Sequence, residues 1–316
     1  MPQKNAAACL MGALVGDAAA LGLHWIYDPA RIAAVAQAQG HAAFTPLDPR
    51  HFDGVPSYFA HGLRPKGGMT QYGEVLHLAI RTLIAGDGRL DTPRYQQAYA
   101  AHFGPGGAYC GYIDRVTRGT LHNLAAGQTD PSGIDDDQLP AVASLPAIVV
   151  AGLGAEDLST TVARAIRVTN VNDAALDYGM VVAALLSMVL GGHPVRDALH
   201  AVAAGTGGEI GAALTAALTA PQASVDYAEI TGRACHLPMG VPLAFHILAR
   251  ANAYADAIET NIRAGGDSAG RAIIIGAVMG AAHGLGGESG IPADYLLHLH
   301  DGATLWRNCQ MLAAQA

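Results

Sequence analysis

Apolar positions along the chain recur mostly at helical spacing, and the strict alternation of a half-buried strand is nearly absent. The pattern predicts an opening helix over about residues 6–21, a loop-rich stretch over about 24–68 and a helix that resumes near Glu74. Asp91, two residues before Pro93, is typical of a helix start. Further helices are expected near 107–125, 138–151, 157–168, 173–190, 195–204, 208–219, 225–235, 241–262, 268–284 and 293–313. No linker divides these segments, so we predict one all-α domain over the whole chain.

Two of the predicted helices carry a row of small residues at every fourth position. One row is Gly12, Gly16 and Ala20, and the other is Gly276, Gly280 and Gly284. Residues four apart share one helix face, and glycine there lets two backbones approach closely. Because each glycine costs about 1 kcal/mol relative to alanine inside a helix, we expect the rows to mark two helices that cross in the core. General glycine richness is the alternative.

Composition indicates a largely buried helical protein. Charged residues make up 14% of the chain and apolar residues 51%. The formal charge of −8 argues against nucleic-acid binding, which needs a basic surface. The apolar segment 174–192 approaches the length of a membrane span. Asn172 and Asp173 cap it and no basic cluster flanks it, so we expect a core helix and no membrane partner.

The cysteines indicate a reducing compartment. Cys9, Cys110, Cys235 and Cys309 lie far apart, and no CxxC pair is present. This spacing is typical of neither a zinc ribbon nor a redox motif. The apolar N-terminus is unlike a secretion signal because Asp17 interrupts it. We therefore expect reduced thiols in a cytoplasmic protein.

The stretch AGGDSAGR places one carboxylate behind two glycines at the start of a long apolar helix. Gly265 and Gly266 permit unusual backbone angles, and Asp267 or Ser268 can cap the first turn. Free N–H groups at a helix start stabilise a nearby negative charge. Arg271, one turn further on, can pair with Asp267 or meet a phosphate. A capped, buried helix start is the alternative to this ligand site.

Two other stretches carry candidate binding residues. In HFGPGGAYCGY, Gly104, Gly106 and Gly107 can bring backbone amides close to phosphate oxygens, and an ordinary turn between helices is the alternative. In GDAAALGLHWIYD, Asp17 lies inside the opening helix, and His24 and Trp25 follow its end. A histidine beside a tryptophan suits a stacked base or sugar, and an aromatic packing cluster at a helix end is the alternative.

Further polar residues are candidate ligand contacts, although each by itself is more typical of a structural role. They are Thr70, Gln71 and Tyr72 at a helix start, Asp135 and Asp136 in a run of three carboxylates, Asn170 between two helices, and His236 between a helix end and two prolines. The sequence contains no P-loop and no HExxH, and with almost no strand pattern it offers no GxSxG nucleophile elbow between a strand and a helix. Its fourteen histidines are not at metal-ligand spacing.

In combination these pieces resemble the ADP-ribosylglycohydrolase family, in the same order along nearly the whole chain. GALVGDAAALGLHW resembles the opening motif GDAxGxxxE, GGMTQYGEVLHLA stands in the place of TDDT, and FGPGGA is similar to the phosphate loop. RVTNVNDAAL resembles the TH segment, and GGDSAGRAIIIGAVMGAAHG resembles GDTDTxxxxxGxxxGAxxG. LHWIYD, DDDQLP and CHLPMGVPLAFHI resemble the J1-crystallin and selenoprotein J branch, which is poor in the metal motif.

The resemblance implies an all-α orthogonal bundle. It also implies a cleft in which active members hold two magnesium ions and cleave an N- or O-glycosidic bond of ADP-ribose. The metal ligands of such members come from the TDDT and DxDT motifs, because hard cations need several oxygen ligands.

Several ligand positions differ in this chain. The family's glutamate falls on His24, its two TDDT aspartates on Gln71 and Tyr72, and its second DxDT aspartate on Ala269. Of the oxygen ligands, Thr70, Asp267 and Ser268 remain. One carboxylate cannot balance the four positive charges of two adjacent dications. We therefore predict no dinuclear magnesium site and no other cofactor, with a single magnesium ion left open.

Two functions stay open, beside a third possibility, the hydrolysis of an unrelated small substrate. The first is a hydrolase of a glycosidic bond in ADP-ribose or a related nucleoside or nucleotide, with Asp267 as base or stabiliser and His24 as acid or base near neutral pH. Trp25 and Tyr72 would then line the sugar or base. The second is an inactive nucleotide-binding or structural relative. The expected partner is a small nucleotide-like ligand or an ADP-ribosylated substrate, and the pattern sets no oligomeric state.

Overall fold

The computed structural model describes residues 2–316, with side chains from residue 5 onward. Within that range the chain folds into α-helices joined by turns and loops, with no named strand. The helices are α1 (Pro2–Ala20), α2 (Pro29–Gln39), α3 (Gln71–Ile84), α4 (Thr92–Phe103), α5 (Arg115–Ala125), α6 (Leu145–Ala151), α7 (Leu158–Arg167), α8 (Asp173–Leu190), α9 (Val195–Gly205), α10 (Gly208–Thr219), α11 (Ser224–Thr231), α12 (Leu237–Leu248), α13 (Tyr254–Arg263), α14 (Ser268–His283), α15 (Ala293–His298) and α16 (Gly302–Ala313). Three 3-10 turns lie at Leu21–Leu23, Pro49–His51 and Leu139–Val142. The all-α prediction is confirmed.

Helices α1 and α14 cross in the centre of the core through their glycine rows. A Cβ atom built on Gly12 would lie 2.2 Å from the carbonyl oxygen of Gly276, and one built on Gly280 would lie 2.1 Å from the carbonyl oxygen of Ala8. These distances are shorter than any side chain tolerates, so glycine is required there. The predicted crossing is confirmed. Gly284 is different, because it ends α14 with a positive φ of 71° and has open space around it.

Two helical segments are long and apolar enough to cross a membrane by length and composition, Asn5–Leu23 and Asp173–Leu190. The first is completely buried inside the protein, and 56% of the second is buried. A helix that is apolar on nearly all sides is expected in the core of a large helical protein. The first segment occupies such a position, and the second is buried along the side that carries Ala175, Leu185 and Leu186.

The loop-rich prediction for 24–68 misses one helix. The carboxylate of Asp28 accepts a hydrogen bond from the backbone N–H of Arg31, and Pro29 occupies the first helical position of α2. The helix ends at Gly40, which has a positive φ of 84°. An aspartate before a proline is the same start signal that marks α4, so this helix was visible in the sequence.

Some predicted boundaries are also wrong. The helix predicted over 107–125 begins only at Arg115, because Asp114 caps it. The helix predicted over 225–235 ends at Thr231, because Gly232 has a positive φ of 90°. The segments 241–262 and 293–313 each contain a break between two helices. Local capping residues therefore decide where these helices begin and end.

Candidate functional site

The turn before α14 is built on two glycines that no other residue can replace. Gly265 and Gly266 have positive φ angles of 76° and 64°, and a Cβ atom on Gly266 would lie 2.0 Å from the carbonyl oxygen of Arg233. The Gly266 carbonyl accepts from the N–H of Trp25, and its own N–H donates to the carbonyl of Ile26. This exchange joins the turn to the segment after α1. The Gly266 amide proposed for ligand binding is therefore engaged inside the protein.

Asp267 caps α14 and lies completely buried. Its Oδ1 accepts from the N–H of Gly270 at 2.9 Å, and its Oδ2 accepts from the hydroxyl of Tyr72 at 2.6 Å. Burial disfavours the charged carboxylate and raises its pKa to about 6, although both hydrogen bonds act in the opposite direction. A carboxyl group with this pKa exchanges its proton near neutral pH. Ser268 follows it, and the Ser268 hydroxyl has no hydrogen-bond partner among the described residues.

The expected pairing of Arg271 with Asp267 is wrong. The Arg271 guanidinium points to the other side of the turn, where Nε donates to Oδ1 of Asn261 at 2.9 Å. The two terminal nitrogens donate to the carbonyls of Gly265, at 2.6 Å, and of Arg233 and Asn261. Arg271 is completely buried, so it does not reach a phosphate either. Its fork of donors satisfies the carbonyls of the glycine turn.

His24 lies beside Asp267 as a neutral ring. Its Nδ1 accepts the backbone N–H of Ala269 at 3.1 Å and lies 3.7 Å from Oδ1 of Asp267. Since Nδ1 accepts a hydrogen bond, the single proton of the ring is on Nε2. Burial, together with His61 and Arg271, holds its pKa well below 6.5. The expectation of an acid or base near neutral pH is therefore replaced by a neutral N–H donor.

Trp25 has a strained backbone. Its φ is +66°, a left-handed conformation that a bulky residue rarely adopts. The N–H of Trp25 donates to Gly266, and its carbonyl accepts from the N–H of Tyr58 at 2.9 Å. Its ring contacts the edge of Tyr112, with the ring centroids 5.1 Å apart. Strain of this kind persists where the surrounding structure holds a functional side chain in place.

Asp17 joins α1 to the start of α3. Its Oδ2 accepts from the backbone N–H of Thr70 at 2.7 Å, and its Oδ1 accepts from the Thr70 hydroxyl at 2.5 Å. Thr70 in turn caps α3 through the N–H of Tyr72. A Cβ atom on Gly73 would lie 2.5 Å from Oδ2 of Asp17, so this corner has no room for a side chain. Asp17 and Thr70, both predicted ligand contacts, are used to position Tyr72.

Gln71 positions a carboxylate that sequence reasoning missed, Asp114. The Gln71 side chain accepts from the backbone N–H of Asp114 at 2.6 Å and donates to the hydroxyl of Thr117 at 2.5 Å. The charge of Asp114 is close enough to raise the pKa of both Asp267 and Tyr72. Burial raises the pKa of Asp114 itself. Its signal in the sequence was an aspartate directly before a helix.

The loop with three successive aspartates, residues 135–137, lies close to Asp114 and is held in place by side-chain contacts. Asp136 accepts from Arg115 at 2.8 Å, and its charge raises the pKa of Asp114. The side chain of Asn170 donates to the backbone carbonyl of Asp136 at 2.8 Å. Asp135 is exposed to solvent. Asp136 and Asn170 thus hold the loop in place, and their ligand-binding roles remain predictions.

His236 is half-exposed and pairs with a neighbouring carboxylate. Its Nδ1 lies 2.7 Å from Oδ1 of Asp137. The backbone of the same segment pairs with Gln138. His236 is therefore tied to the carboxylate loop, and its role toward a ligand remains a prediction.

Some backbone N–H groups of the glycine loop, residues 104–107, donate within the loop or to the end of α4. The N–H of Gly104 donates to Ala100, and the N–H of Gly107 donates to Gly104. Gly106 has a positive φ of 74° and open space around it. A phosphate cradle needs several free amides pointing at one anion, and here two of the three predicted glycines offer none. Phosphate binding by this loop remains a prediction.

The residues present do not fit a pair of magnesium ions. Among the side chains from residue 5 to 316, no group of three or more His, Cys, Asp and Glu residues is placed to hold a metal ion. Both oxygens of Asp267 already accept hydrogen bonds from Tyr72 and Gly270. Gln71 is engaged with Asp114 and Thr117. This donor set lacks the several free oxygens that hard dications need.

Comparison with known proteins gives a consistent result. The model of the family described as ADP-ribosylglycohydrolase matches residues 2–316. Crystallin J1B of Tripedalia cystophora is 26% identical over 300 residues, which cover 89% of this chain and 88% of that protein. Crystallin J1A of the same organism is 24% identical over 326 residues, 98% of this chain and 97% of that protein. A solved structure, "ADP-ribosylglycohydrolase-related protein complex", has a TM-score of 0.76 at 21% identity and covers 99% of this chain and 98% of that chain, so the fold is shared.

Proposed function

Because the chain belongs to the ADP-ribosylglycohydrolase family, we propose that it hydrolyses an N- or O-glycosidic bond of ADP-ribose or of a related nucleoside or nucleotide, without a magnesium pair. The observation that carries this proposal is the buried Asp267 carboxyl, held by Tyr72 and Gly270 and having a pKa raised to about 6. A general base works best when its pKa lies near the operating pH.

The proposed reaction uses two carboxyl groups. Deprotonated Asp267 takes a proton from a water molecule while the water oxygen bonds to the anomeric carbon. The glycosidic bond breaks, its electron pair stays with the leaving group, and Asp114 gives that group a proton. Burial raises the pKa of Asp114 and so favours its protonated form, which is the form that this step requires.

The neutral rings at the site recognise the substrate in this scheme. His24 presents an Nε2–H donor with no partner among the described residues, and the indole N–H of Trp25 is also without one. Two uncharged donors side by side suit hydroxyl or carbonyl oxygens of a sugar or base. The flat face of Trp25 suits stacking against the ligand. We place this reaction in the cytoplasm, in agreement with four cysteines that form no disulfide.

A second candidate is an inactive relative with a binding or structural role. Its support is that Asp17, Asp267 and Arg271 all have partners inside the protein. Satisfied buried polar groups need no ligand. Two relatives that match this chain are crystallins by name.

The test is an assay with and without a chelator. Purified protein is incubated with ADP-ribosylated arginine, ADP-ribosylated serine and ribonucleosides, and the released products are measured. We expect turnover that survives the chelator and falls by about a hundredfold or more in Asp267→Asn, while Asp226→Asn, an exposed carboxylate change on α11, keeps wild-type activity. Turnover lost with the chelator contradicts the metal-free reaction. Turnover kept in Asp267→Asn contradicts the role of Asp267, and no turnover on any substrate favours the inactive relative.

A further inference from the structure

His61 is a buried polar ring without partners. It lies in the loop between the Pro49–His51 turn and α3, and only 3% of its surface is exposed. Its ring stacks on Trp25, with centroids 5.3 Å apart and planes 23° apart, and its centroid is 5.1 Å from that of His24. Neither ring nitrogen has a hydrogen-bond partner among the described residues.

Stability does not explain this imidazole. Burying a hydrogen-bonding group without a partner costs free energy, and a phenyl ring would fill the same space without that penalty. Burial lowers the pKa of His61 to about 4, so the ring is neutral and carries one donor and one acceptor. The position therefore holds a flat, uncharged nitrogen heterocycle for a reason other than folding.

The surroundings of His61 have unused hydrogen-bonding capacity. Trp25 Nε1 and His24 Nε2 are buried N–H donors without partners among the described residues. The strained backbone of Trp25 holds its ring against His61, with Tyr112 packed edge-on at the side. Trp25 Nε1 and His24 Nε2 stay in place when His61 is absent, and two such unsatisfied N–H groups point to a ligand that brings acceptors.

The loop that carries His61 is held mainly at its two ends. Tyr58 and Leu63, on either side of His61, are 53% and 80% exposed. At the near end the N–H of Tyr27 donates to Pro56 and that of Tyr58 donates to Trp25, and at the far end Arg64 pairs with Glu74. Tyr58 packs on Trp25, whereas the ring of His61 makes no hydrogen bond that its withdrawal would break.

We propose that the face of Trp25 covered by His61 is a subsite for a planar, uncharged nitrogen heterocycle of the ligand, and that His61 withdraws when this ring binds. The inference rests on the proposed function, because the heterocycle is then the base of the nucleoside-like substrate. The ligand ring stacks on Trp25, and its acceptors meet the N–H groups of Trp25 and His24. His61 thus competes with the ligand for one place.

Competition predicts opposite effects of two substitutions. If the open state is a minor fraction of the molecules, the apparent dissociation constant equals the intrinsic one divided by that fraction. His61→Ala empties the subsite and lowers the apparent dissociation constant by about threefold to tenfold. His61→Phe fills it with a ring that has no unsatisfied nitrogen, so the protein melts at a higher temperature and binds more weakly.

The experiment uses tryptophan fluorescence. The chain contains two tryptophans, and Trp306→Phe on α16 leaves Trp25 as the single reporter. Asp267→Asn is added to prevent turnover, and adenosine is titrated at equilibrium into this background and its His61→Ala and His61→Phe versions. We expect adenosine to quench Trp25, most tightly with His61→Ala and least with His61→Phe.

The binding measurements test the proposed subsite separately from the proposed hydrolysis. Equal or weaker binding in folded His61→Ala overturns it, as does tighter binding in His61→Phe. Absence of quenching in all versions also overturns it. The turnover assay on protein with wild-type Asp267 is independent, so binding that follows this order without any turnover leaves the subsite standing and removes the proposed hydrolysis.

Discussion

Helix α14 has two regions that are buried to the same degree and built by different rules. Its body, around Gly276 and Gly280, contacts α1 through backbone alone. Its mouth, at Asp267, is surrounded by polar groups from Tyr72 and His24. At the body, the backbones of the two helices pack in close contact. At the mouth, the buried polar groups need hydrogen-bond partners, and some of them have none. Burial alone therefore does not distinguish the two regions, whereas buried polar atoms without partners, such as Ser268 Oγ, are found at the mouth.

The largest expected effect is a loss of stability at the crossing of α1 and α14. Gly276→Ala places a Cβ atom 2.2 Å from the carbonyl oxygen of Gly12, so the two helices must separate. We expect a loss of about 3 kcal/mol or more in the free energy of unfolding, measured in denaturant. Gly205→Ala, at a glycine with nothing within 4 Å, is the matched control and should change stability by about 0.5 kcal/mol or less. Equal effects of the two changes would contradict the crossing.

The next effect concerns Asp17, which links α1 to the mouth. Burial raises its pKa from 3.8 to about 7, so the folded protein binds this proton more tightly than the unfolded chain. Its contribution to stability is fully present below pH 3.8 and is lost as the pH rises through about 7. Asp17→Asn should therefore gain about 3 kcal/mol relative to wild type between about pH 4.5 and about pH 7.5.

Unfolding of both proteins in denaturant at the two pH values measures this change. The buried histidines act in the opposite sense, but they are present in both proteins and cancel in the difference. A difference between Asp17→Asn and wild type that stays constant with pH would show that Asp17 is ionised throughout.

The smallest expected effect is at the mouth. Tyr72→Phe removes the hydroxyl that donates to Asp267, and this bond favours the charged carboxylate. The pKa of Asp267 should rise, and the acidic limb of the activity profile should move to higher pH by about one unit. Tyr227→Phe is the control, because that ring stacks on His246 and should leave the profile unchanged. If the pH profile of Tyr72→Phe does not move, Asp267 is not the group whose titration sets the acidic limb of the activity.

Local signals predicted much of the fold. The helical spacing, the rows containing Gly12 and Gly276 and the capping aspartates are properties of short segments, and short segments determine helix positions and close crossings. The same signals marked Asp267 as a helix cap. They also contained Asp114, which was overlooked because the helix after it was expected to begin earlier.

The sequence by itself determined an all-α chain, a glycine-mediated crossing and membership of the ADP-ribosylglycohydrolase family. Only the tertiary structure decided what the polar residues at the mouth do. Arg271 turned to the carbonyls of the glycine turn, His24 became a neutral donor because Ala269 donates to it, and His61 came to lie on Trp25. The physical reason is that helix formation depends on neighbours within a few residues, whereas the charge and partners of a buried side chain depend on groups far away in sequence.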